Sequence, residues 1–203
     1  MTKTVRRATI SDLNSMVSVH CNAFDGFFLT NLGPKFLRKY YNIYLKYNHI
    51  ALVYEENSKV LGFVVGSASA SNFYKDLKKE WFSFLLPILN CTFKKHIYIK
   101  AFNHLKNIIL NDSVNNVPTH NGLCELTSIC VDITAKSKGI GSRLLNSFEN
   151  TCMNQSKKGV LLTTDASKNN SNVVNFYLKN DYAIDRVFYQ GKSRKMYSLV
   201  KKF

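Results

Sequence analysis

The chain has no hydrophobic run long enough to cross a bilayer. Its longest apolar stretch, Trp81 to Leu89, is interrupted by Pro87, whereas a transmembrane helix needs about 20 apolar residues. No charged-then-apolar segment follows Met1, so no secretory signal is expected. The sequence also lacks repeats and low-complexity linkers, and 203 residues with 45% hydrophobic content suffice for one core. We expect a single domain over residues 1–203, in a cytoplasmic protein without a membrane span.

The cysteines lack the spacing of metal ligands. They are odd in number and scattered along the chain, at Cys21, Cys91, Cys124, Cys130 and Cys152. Reduced structural thiols are therefore expected, rather than disulfides or a metal site. The chain also lacks a GxxxxGK[ST] motif and a full dinucleotide fingerprint, which disfavours a nucleotide kinase or a dehydrogenase.

Acidic residues are scarce: the chain has 13 Asp and Glu residues and 28 Lys and Arg residues, so its formal net charge is +15. Such a charge attracts polyanions, and nucleic acid is one candidate partner. The lysines are spread along the chain in small pairs, such as Lys78-Lys79 and Lys157-Lys158, rather than collected on one element. We favour a basic surface that steers an anionic cofactor, with nucleic-acid binding as the weaker alternative.

The most informative segment runs from Val131 to Leu145 (VDITAKSKGIGSRLL). An apolar, β-branched segment precedes it, as in a buried strand, and apolar residues at helical spacing follow it. The turn between strand and helix contains two lysines and two glycines: Lys136, Lys138, Gly139 and Gly141. A helix that begins here presents free backbone N–H groups to an anion, and the glycines allow a close approach. The turn suits a diphosphate.

The apolar pattern predicts strands and helices in a mixed order on both sides of this turn. Before it we predict a strand at 4–10, helices at 13–24 and 34–47, and a hairpin of strands at 50–55 and 60–67. The turn's own strand covers 123–132 and its helix begins at 140. After it we predict a strand at 160–165, a helix that carries Phe176 and Tyr177, and a C-terminal hairpin at 182–189 and 195–200.

Residues 73–118 do not fit this pattern and form a largely helical insertion in our prediction. The insertion is rich in aromatic residues, among them Phe73, Trp81 and Phe93. These side chains could cover an acceptor site, pack a dimer or, more commonly, bury against the core.

Two motifs in the C-terminal part of the chain resemble those of the GNAT superfamily of acetyl-CoA-dependent N-acetyltransferases. The family's phosphate turn, Gln/Arg-x-x-Gly-x-Gly/Ala, is matched by 136–141 (KSKGIG), with Lys136 in place of the usual first residue. The following motif is matched by Asn170, the pair Phe176-Tyr177 and the segment 179–182 (KNDY). Ser137 and Asp181 stand where glycine is frequent in the family.

The resemblance implies an α/β (α+β) fold. It has a central mixed, mostly antiparallel sheet of about seven strands flanked by helices, with the largely helical insertion between the third and fourth strands. The implied reaction transfers an acetyl group directly from acetyl-CoA to an amine, so no cysteine is needed as a nucleophile. No metal is implied.

The resemblance also implies a binding track for acetyl-CoA. The backbone around Ile129 would pair with the pantetheine amides, the Val131 N–H would face the thioester oxygen, and Asn170 would bond the pantetheine arm. The expected cofactor-binding residues are Ile129, Cys130, Val131, Lys136, Ser137, Lys138, Gly139, Ile140, Gly141, Ser142, Asn170 and Tyr177.

Three side chains are candidates for proton transfer. The resemblance places Tyr177 to protonate the departing sulfur, although a tyrosine on an amphipathic helix can simply pack. Asp165 ends the fifth strand, and Glu125 has the same facing parity on the fourth strand as Ile129, so either could be the base. Each could equally be a solvated carboxylate or a partner of a basic residue, and a water chain could replace both. The five histidines have no motif context.

The resemblance implies an acceptor site opposite the cofactor, beside the loop from Asp25 to Gly33. Phe27, Phe28 and Thr30 could shape its pocket or cover the core between two helices. We expect a small amine such as an amino sugar, with a protein N-terminus or lysine as the alternative. A noncatalytic coenzyme A-binding module is the alternative from another class, and a homodimer is left open.

Overall fold

The computed structural model describes residues 3–80, 82–84, 122–167, 170–191 and 194–203. The strands are β1 (Lys3–Arg7), β2 (Ile50–Glu56), β3 (Lys59–Ser67), β4 (Leu123–Val131), β5 (Gly159–Asp165), β6 (Ala183–Gln190) and β7 (Arg194–Lys202). The helices with complete bounds are α1 (Leu13–Ala23), α2 (Phe28–Asn31), α3 (Pro34–Lys46), α4 (Ala70–Lys79), α5 (Ile140–Asn154) and α6 (Ser171–Leu178).

The strands form one sheet in the order β1-β2-β3-β4-β5-β7-β6. Every neighbouring pair is antiparallel except β4 and β5, which are parallel. The expected fold, a mixed and mostly antiparallel sheet flanked by helices, is thereby confirmed. Within the described residues, no helix combines the length and hydropathy needed to cross a membrane.

Two segments differ from the sequence prediction. The loop from Asp25 to Gly33 contains the short helix α2. The predicted strand at 4–10 ends at Arg7, and a helical turn (Ile10–Asp12) follows it. Thr9 caps this turn, because its backbone N–H and hydroxyl both donate to the carboxylate of Asp12. The predicted insertion at 73–118 lies between β3 and β4; α4 covers its beginning, and residues 85–121 lie outside the described part of the chain.

Each face of the sheet carries its own apolar cluster. Side chains of α1, α3 and α4 pack on one face, which we call the α3 face, around Tyr41, Tyr44 and Phe63. Side chains of α5 and α6 pack on the other, the α5 face, around Leu144, Phe148 and Tyr177. The amphipathic helices bury their apolar sides against the sheet, which fixes the side of α5 that faces it.

Phe148 of α5 packs directly on the backbone of β3 because Gly66 has no side chain. A Cβ atom at Gly66 would fall 2.5 Å from Phe148 Cζ and 2.3 Å from the backbone oxygen of Glu125. Both distances are shorter than real Cβ atoms tolerate, so a larger residue would push the helix and β4 away from β3. Gly66 therefore helps to set the position of α5 over the sheet.

Asp181 caps the C-terminal end of α6, at a position where glycine is frequent in the GNAT superfamily. Its φ is +68°, the Tyr182 N–H donates to the oxygen of Tyr177 (3.1 Å), and the Asp181 N–H donates to that of Leu178 (3.2 Å). These two bonds are those of a Schellman cap, in which the left-handed residue is usually glycine. The cap forms here with aspartate, at the cost of backbone strain.

We predict that Asp181→Gly raises the free energy of unfolding by about 1 kcal/mol, because glycine adopts this conformation without strain. Urea denaturation compares the variant with the wild type. The matched control is Lys179→Gly, whose φ is −69° and where glycine should lower stability. Equal or lower stability of Asp181→Gly would contradict the strained cap.

Candidate active site

Strands β4 and β5 pair over three residues only and then separate. Leu123, Cys124 and Glu125 pair with Gly159, Val160 and Leu161. Beyond that point β4 continues along β3 as far as Val131, whereas β5 continues along β7 as far as Asp165. A gap therefore opens between the two parallel strands towards their C-terminal ends.

The edge of β4 that borders this gap carries unused peptide groups. The Asp132 N–H donates to the oxygen of Leu61 (2.8 Å) on the β3 side. Because antiparallel pairs alternate, the peptide groups of Cys130 also bond β3, whereas those of Ile129 and Val131 point away from it, into the gap. Ile129 and Val131 thus offer backbone donors and acceptors to a ligand, and Cys130 does not.

The turn after β4 brings the start of α5 to the same gap. The Asp132 carboxylate accepts bonds from the backbone N–H (2.9 Å) and hydroxyl (2.7 Å) of Thr134, which fixes the exit of the strand. Ser137 and Gly139 then adopt φ values of +64° and +73°. The Arg143 N–H bonds the oxygen of Gly139, so the N–H groups ahead of it, at 140–142, have no acceptor within the helix.

These groups suit the acetyl-CoA that the motifs imply. Nothing lies within 4 Å of a Cβ placed on Gly139, so a diphosphate can approach the backbone there. Lys136 and Lys138 are exposed on the same turn and add attraction for an anion, as does the positive end of the helix. The unused peptide groups of β4 match amides of the pantetheine arm in the manner of an added strand.

Helix α6 closes the far end of the gap. A Cβ on Gly141 would lie 3.4 Å from the ring of Phe176 and 3.9 Å from Val131 Cγ2, so β4, α5 and α6 meet at one point. Tyr177 is 4% exposed, and its ring centroid lies 5.5 Å from that of Tyr182. Burial raises the pKa of Tyr177, with a smaller contribution from Cys130, so the phenol keeps its proton at neutral pH.

Asn170 ties the start of α6 to the end of β5. Its side-chain amide donates to the Thr164 hydroxyl (2.9 Å) and to the backbone oxygen of Asp165 (2.6 Å). The amide hydrogens are therefore used within the chain, and the side-chain oxygen is the atom left for a pantetheine amide. Its predicted role in binding the arm stays a prediction.

A β-bulge places Glu125 on the opposite face from Ile129. The register between β3 and β4 shifts so that Val65 pairs with Ser128 and Gly66 with Leu126, which leaves Thr127 as the extra residue. Cys124, Leu126, Ile129 and Val131 consequently pack on the α5 face. The shared parity of Glu125 and Ile129 in the sequence prediction is wrong, because one extra residue reverses the alternation.

On the α3 face, Glu125 lies among tyrosines. Burial raises the pKa of Tyr40 to about 12, and the charge of Glu125 adds to the increase. Burial likewise raises the pKa of Tyr44 and Tyr74, again with a contribution from Glu125. Burial raises the pKa of Glu125 itself. This half-buried carboxylate is a better proton acceptor than a solvated one.

Asp165 has a different environment. Its carboxylate accepts bonds from Arg194 Nε (2.7 Å) and from the Ser167 N–H (2.7 Å). The Arg194 guanidinium, followed by the Ser167 bond, lowers the pKa of Asp165. The structure thus gives Asp165 a basic partner at the strand end, which is one of the three alternatives left open by the sequence.

The sequence matches the acetyltransferase (GNAT) family over residues 19–182. The chain belongs to this family. The members of this family use acetyl-CoA, and this chain is accordingly a GNAT acetyltransferase. A search of curated protein sequences finds no significant match.

Solved GNAT structures share the fold over nearly the whole chain. Ard1 from Thermoplasma volcanium has a TM-score of 0.62 at 15% identity and covers 100% of this chain and 98% of its own. A ribosomal-protein-alanine N-acetyltransferase from Brucella melitensis has a TM-score of 0.61 at 12% identity, with coverages of 98% and 99%. An N-acetyltransferase from Staphylococcus aureus Mu50 scores 0.60 at 16% identity, with 98% and 97%.

The segment from Asp25 to Gly33, which is expected to border the acceptor site of this GNAT protein, is stabilised by hydrogen bonds with its own backbone and that of Phe24. The Thr30 hydroxyl donates to the backbone oxygen of Phe24 (2.5 Å), and the side-chain amide of Asn31 donates to that of Gly26 (3.1 Å). Phe27 remains 50% exposed. Phe28 begins α2. The acceptor roles of Phe27, Phe28 and Thr30 stay predictions.

Sequence reasoning missed a polar cluster at one end of the GNAT sheet. His49, which precedes β2, lies 3.1 Å from Ser67 Oγ through Nδ1 and 3.2 Å from Asp76 Oδ2 through Nε2. The three residues come from separate segments without a motif. Among the described residues, no three His, Cys, Asp or Glu side chains form a metal site.

We predict that Gly139→Val weakens acetyl-CoA binding at least about tenfold, because a β-branched residue cannot hold the left-handed turn that presents the amides. Calorimetric titration of the wild type and the variant measures the effect. Gly191→Val is the matched control, since Gly191 has a φ of +65° in a distant turn and equally open surroundings. Unchanged affinity in Gly139→Val, or an equal loss in both variants, would contradict the assigned site.

Proposed function

We propose that the protein transfers the acetyl group of acetyl-CoA directly to the primary amine of a small molecule. The observation that carries the proposal is the gap between β4 and β5. Along it, the unused peptide groups of Ile129 and Val131 run towards the free N–H groups at the start of α5. The gap leads from a site for amides to a site for a diphosphate, which matches the order of these groups in the cosubstrate.

Acetyl-CoA supplies an acetyl thioester, whose carbonyl oxygen becomes negative when an amine attacks. The Ile129 N–H is the donor that we assign to this oxygen, in place of the Val131 N–H that the resemblance implies, because it points into the gap and lies farther from the diphosphate site, as the thioester does in the cosubstrate. A donor fixed before the reaction stabilises the developing charge without reorganisation. Lys138 and the N–H groups at 140–142 hold the diphosphate.

Tyr177 supports the departure of the thiolate as a proton donor. The phenol is buried beside Phe176 and Tyr182, and its raised pKa keeps it protonated. Helix α6, which carries it, closes the end of the gap. A general acid must hold its proton until charge develops on the leaving group, and this environment meets that requirement.

Glu125 is the base that we favour. It lies on the face of β4 opposite the side chains of Ile129 and Val131, so an amine could approach it without crossing the cosubstrate. Its raised pKa suits proton uptake near neutrality. Asp165, with its lowered pKa and its bond to Arg194, is the weaker candidate.

The surroundings of Glu125 favour a compact acceptor. A half-buried carboxylate attracts a cationic amine, and tyrosines such as Tyr40, Tyr44 and Tyr74 add aromatic faces and hydroxyl groups. An amino sugar combines an amine with several hydroxyl groups and fits this chemistry. We place the reaction in the cytoplasm, in keeping with the free thiols of four described cysteines.

A protein amine is the second candidate. One structural neighbour is named a ribosomal-protein-alanine N-acetyltransferase, and this fold can therefore serve an acceptor on a polypeptide. The edge strand β6 and the half-exposed Phe27 are accessible on the described surface.

Thiol release from acetyl-CoA in the presence of a panel of amines tests the function. The panel contains amino sugars, small aliphatic amines, and peptides that differ only in a free or blocked N-terminus. We expect saturable turnover with an amino sugar or another small amine. Turnover restricted to peptides with a free N-terminus would transfer the assignment to the second candidate, and release independent of any amine would refute both.

We predict that Tyr177→Phe lowers kcat about 10- to 100-fold, as expected on removal of a general acid, and leaves acetyl-CoA affinity nearly unchanged. The reason is that only the hydroxyl, which protonates the leaving thiolate, is removed. Steady-state kinetics and calorimetric titration separate the two effects. Tyr182→Phe is the control, since it removes a neighbouring buried hydroxyl from the same cluster. A normal kcat in Tyr177→Phe would exclude the acid role.

A further inference from the structure

A cavity of about 430 Å³ opens at the end of the sheet where β2 begins and β3 ends. Its wall includes His49, Ser67 and Asp76, which form the polar cluster described above. The His49 side chain is only 8% exposed and packs edge-on against Tyr44 and Phe73. A buried imidazole therefore adjoins an open, polar cavity.

The hydroxyl of Ser67 has two acceptors within reach. It lies 2.8 Å from the backbone oxygen of Ser69 and 3.1 Å from His49 Nδ1. A hydroxyl has one proton, so it donates to one of them at a time. When His49 is neutral, with its proton on Nε2 facing Asp76, Nδ1 accepts from Ser67. When His49 is an imidazolium, Nδ1 donates to Ser67, and the Ser67 proton turns to Ser69.

Ser67 is also the direct cross-strand partner of Glu125. The two residues pair in the register of β3 and β4, and directly opposite side chains lie on one face with Cβ atoms about 5 Å apart. Both belong to the α3 face, on which His49 and Tyr44 pack. The base proposed above is thus the neighbour of a hydroxyl that is already bonded to an imidazole.

We propose that Ser67, His49 and Asp76 form a relay that carries the proton of the acceptor amine from Glu125 to solvent. The inference rests on the proposed function, because it assigns Glu125 as the base. The amine proton moves to the Glu125 carboxylate. The carboxylic acid then gives a proton to Ser67 Oγ as Ser67 gives its own to His49 Nδ1, and the Nε2 proton leaves through the cavity. One proton enters, one leaves, and Glu125 is ionised again. The imidazole is left with its proton on Nδ1 and regains the Nε2 tautomer by proton exchange with water in the cavity that His49 and Ser67 both line.

The charged groups around His49 suit its role as a proton acceptor in the relay. Asp76 stabilises the imidazolium through Oδ2, while its Oδ1 accepts from Lys79 Nζ (2.7 Å). Lys75 lines the same cavity, Arg7 and Lys46 line a second one on the other side of His49, and Tyr44 faces the ring from α3. Burial lowers the pKa of His49 and outweighs the opposing effect of Asp76. The imidazole is therefore neutral, and able to accept a proton, at neutral pH.

The first test replaces His49 by alanine and restores the base from solution. We expect His49→Ala to retain acetyl-CoA affinity and lose about 10- to 100-fold in kcat/KM, within the range of general acid–base effects. Added imidazoles, which the adjoining cavity admits, should rescue the rate in proportion to their basicity. His20→Ala is the matched control, because it removes a buried imidazole of the same face that bonds Tyr41 instead, and imidazoles should not rescue it.

The outcomes separate the relay from the function. A wild-type protein that acetylates no amine overturns the proposed function and the relay with it. If the wild type is active and the folded His49→Ala variant keeps its kcat/KM, the relay alone is overturned. The same follows if the rate restored by added imidazoles does not depend on their basicity.

A second measurement does not depend on a folded His49→Ala. NMR titration of the His49 ring in Glu125→Gln should show a lowered pKa, because an ionised carboxylate no longer supports the imidazolium. Glu56→Gln, which removes a carboxylate paired with Lys3 at the other end of β2 from His49, should leave that pKa unchanged. An unaltered His49 titration in Glu125→Gln overturns the relay.

Discussion

The separation of β4 from β5 after Glu125 is the constraint on which the candidate site depends. Each strand stays paired with its outer neighbour, β4 with β3 and β5 with β7, so neither can follow the other. The bulge at Thr127 adds to the effect, because an extra residue bends a strand and increases its twist. Unpaired peptide groups inside a sheet are costly, and a ligand that pairs with them removes that cost. The gap therefore suits the extended, amide-bearing chain that we propose to bind there.

The same bulge gives the two faces of β4 different chemistry. On the α5 face, apolar side chains such as Ile129 and Val131 line the approach to the start of α5. On the α3 face, Glu125, Thr127 and Ser128 lie near the hydroxyls of Tyr40, Tyr41 and Tyr44. An amine and a thioester could then reach the strand edge from opposite sides. The reacting groups would meet there without competing for one pocket.

Sequence reasoning was sufficient for the features that are local in the chain. The order of the elements, the turn around Gly139 and the aromatic pair at 176–177 follow from short-range spacing. It failed at the bulge, because nothing in the sequence around Thr127 and Ser128 indicates an additional residue in the strand. Glu125 was therefore predicted on the wrong face of the sheet. It also could not find His49, Ser67 and Asp76, or the pairing of Asp165 with Arg194, because these contacts join distant segments.

Helix α5 explains why the phosphate turn can be exposed and still be well positioned. Its first turn is open to solvent around Gly139, but Phe148 is fitted against Gly66 of β3. The next residue, Glu149, forms an ion pair with Lys201 of β7 (2.9 Å), and its side chain is 8% exposed. Because removing one partner of a buried pair leaves an uncompensated charge, this contact resists rotation of the helix. Contacts with β3 and β7 therefore hold the body of α5 in place. The free N–H groups at its start are positioned by these contacts, although the turn around Gly139 is itself exposed.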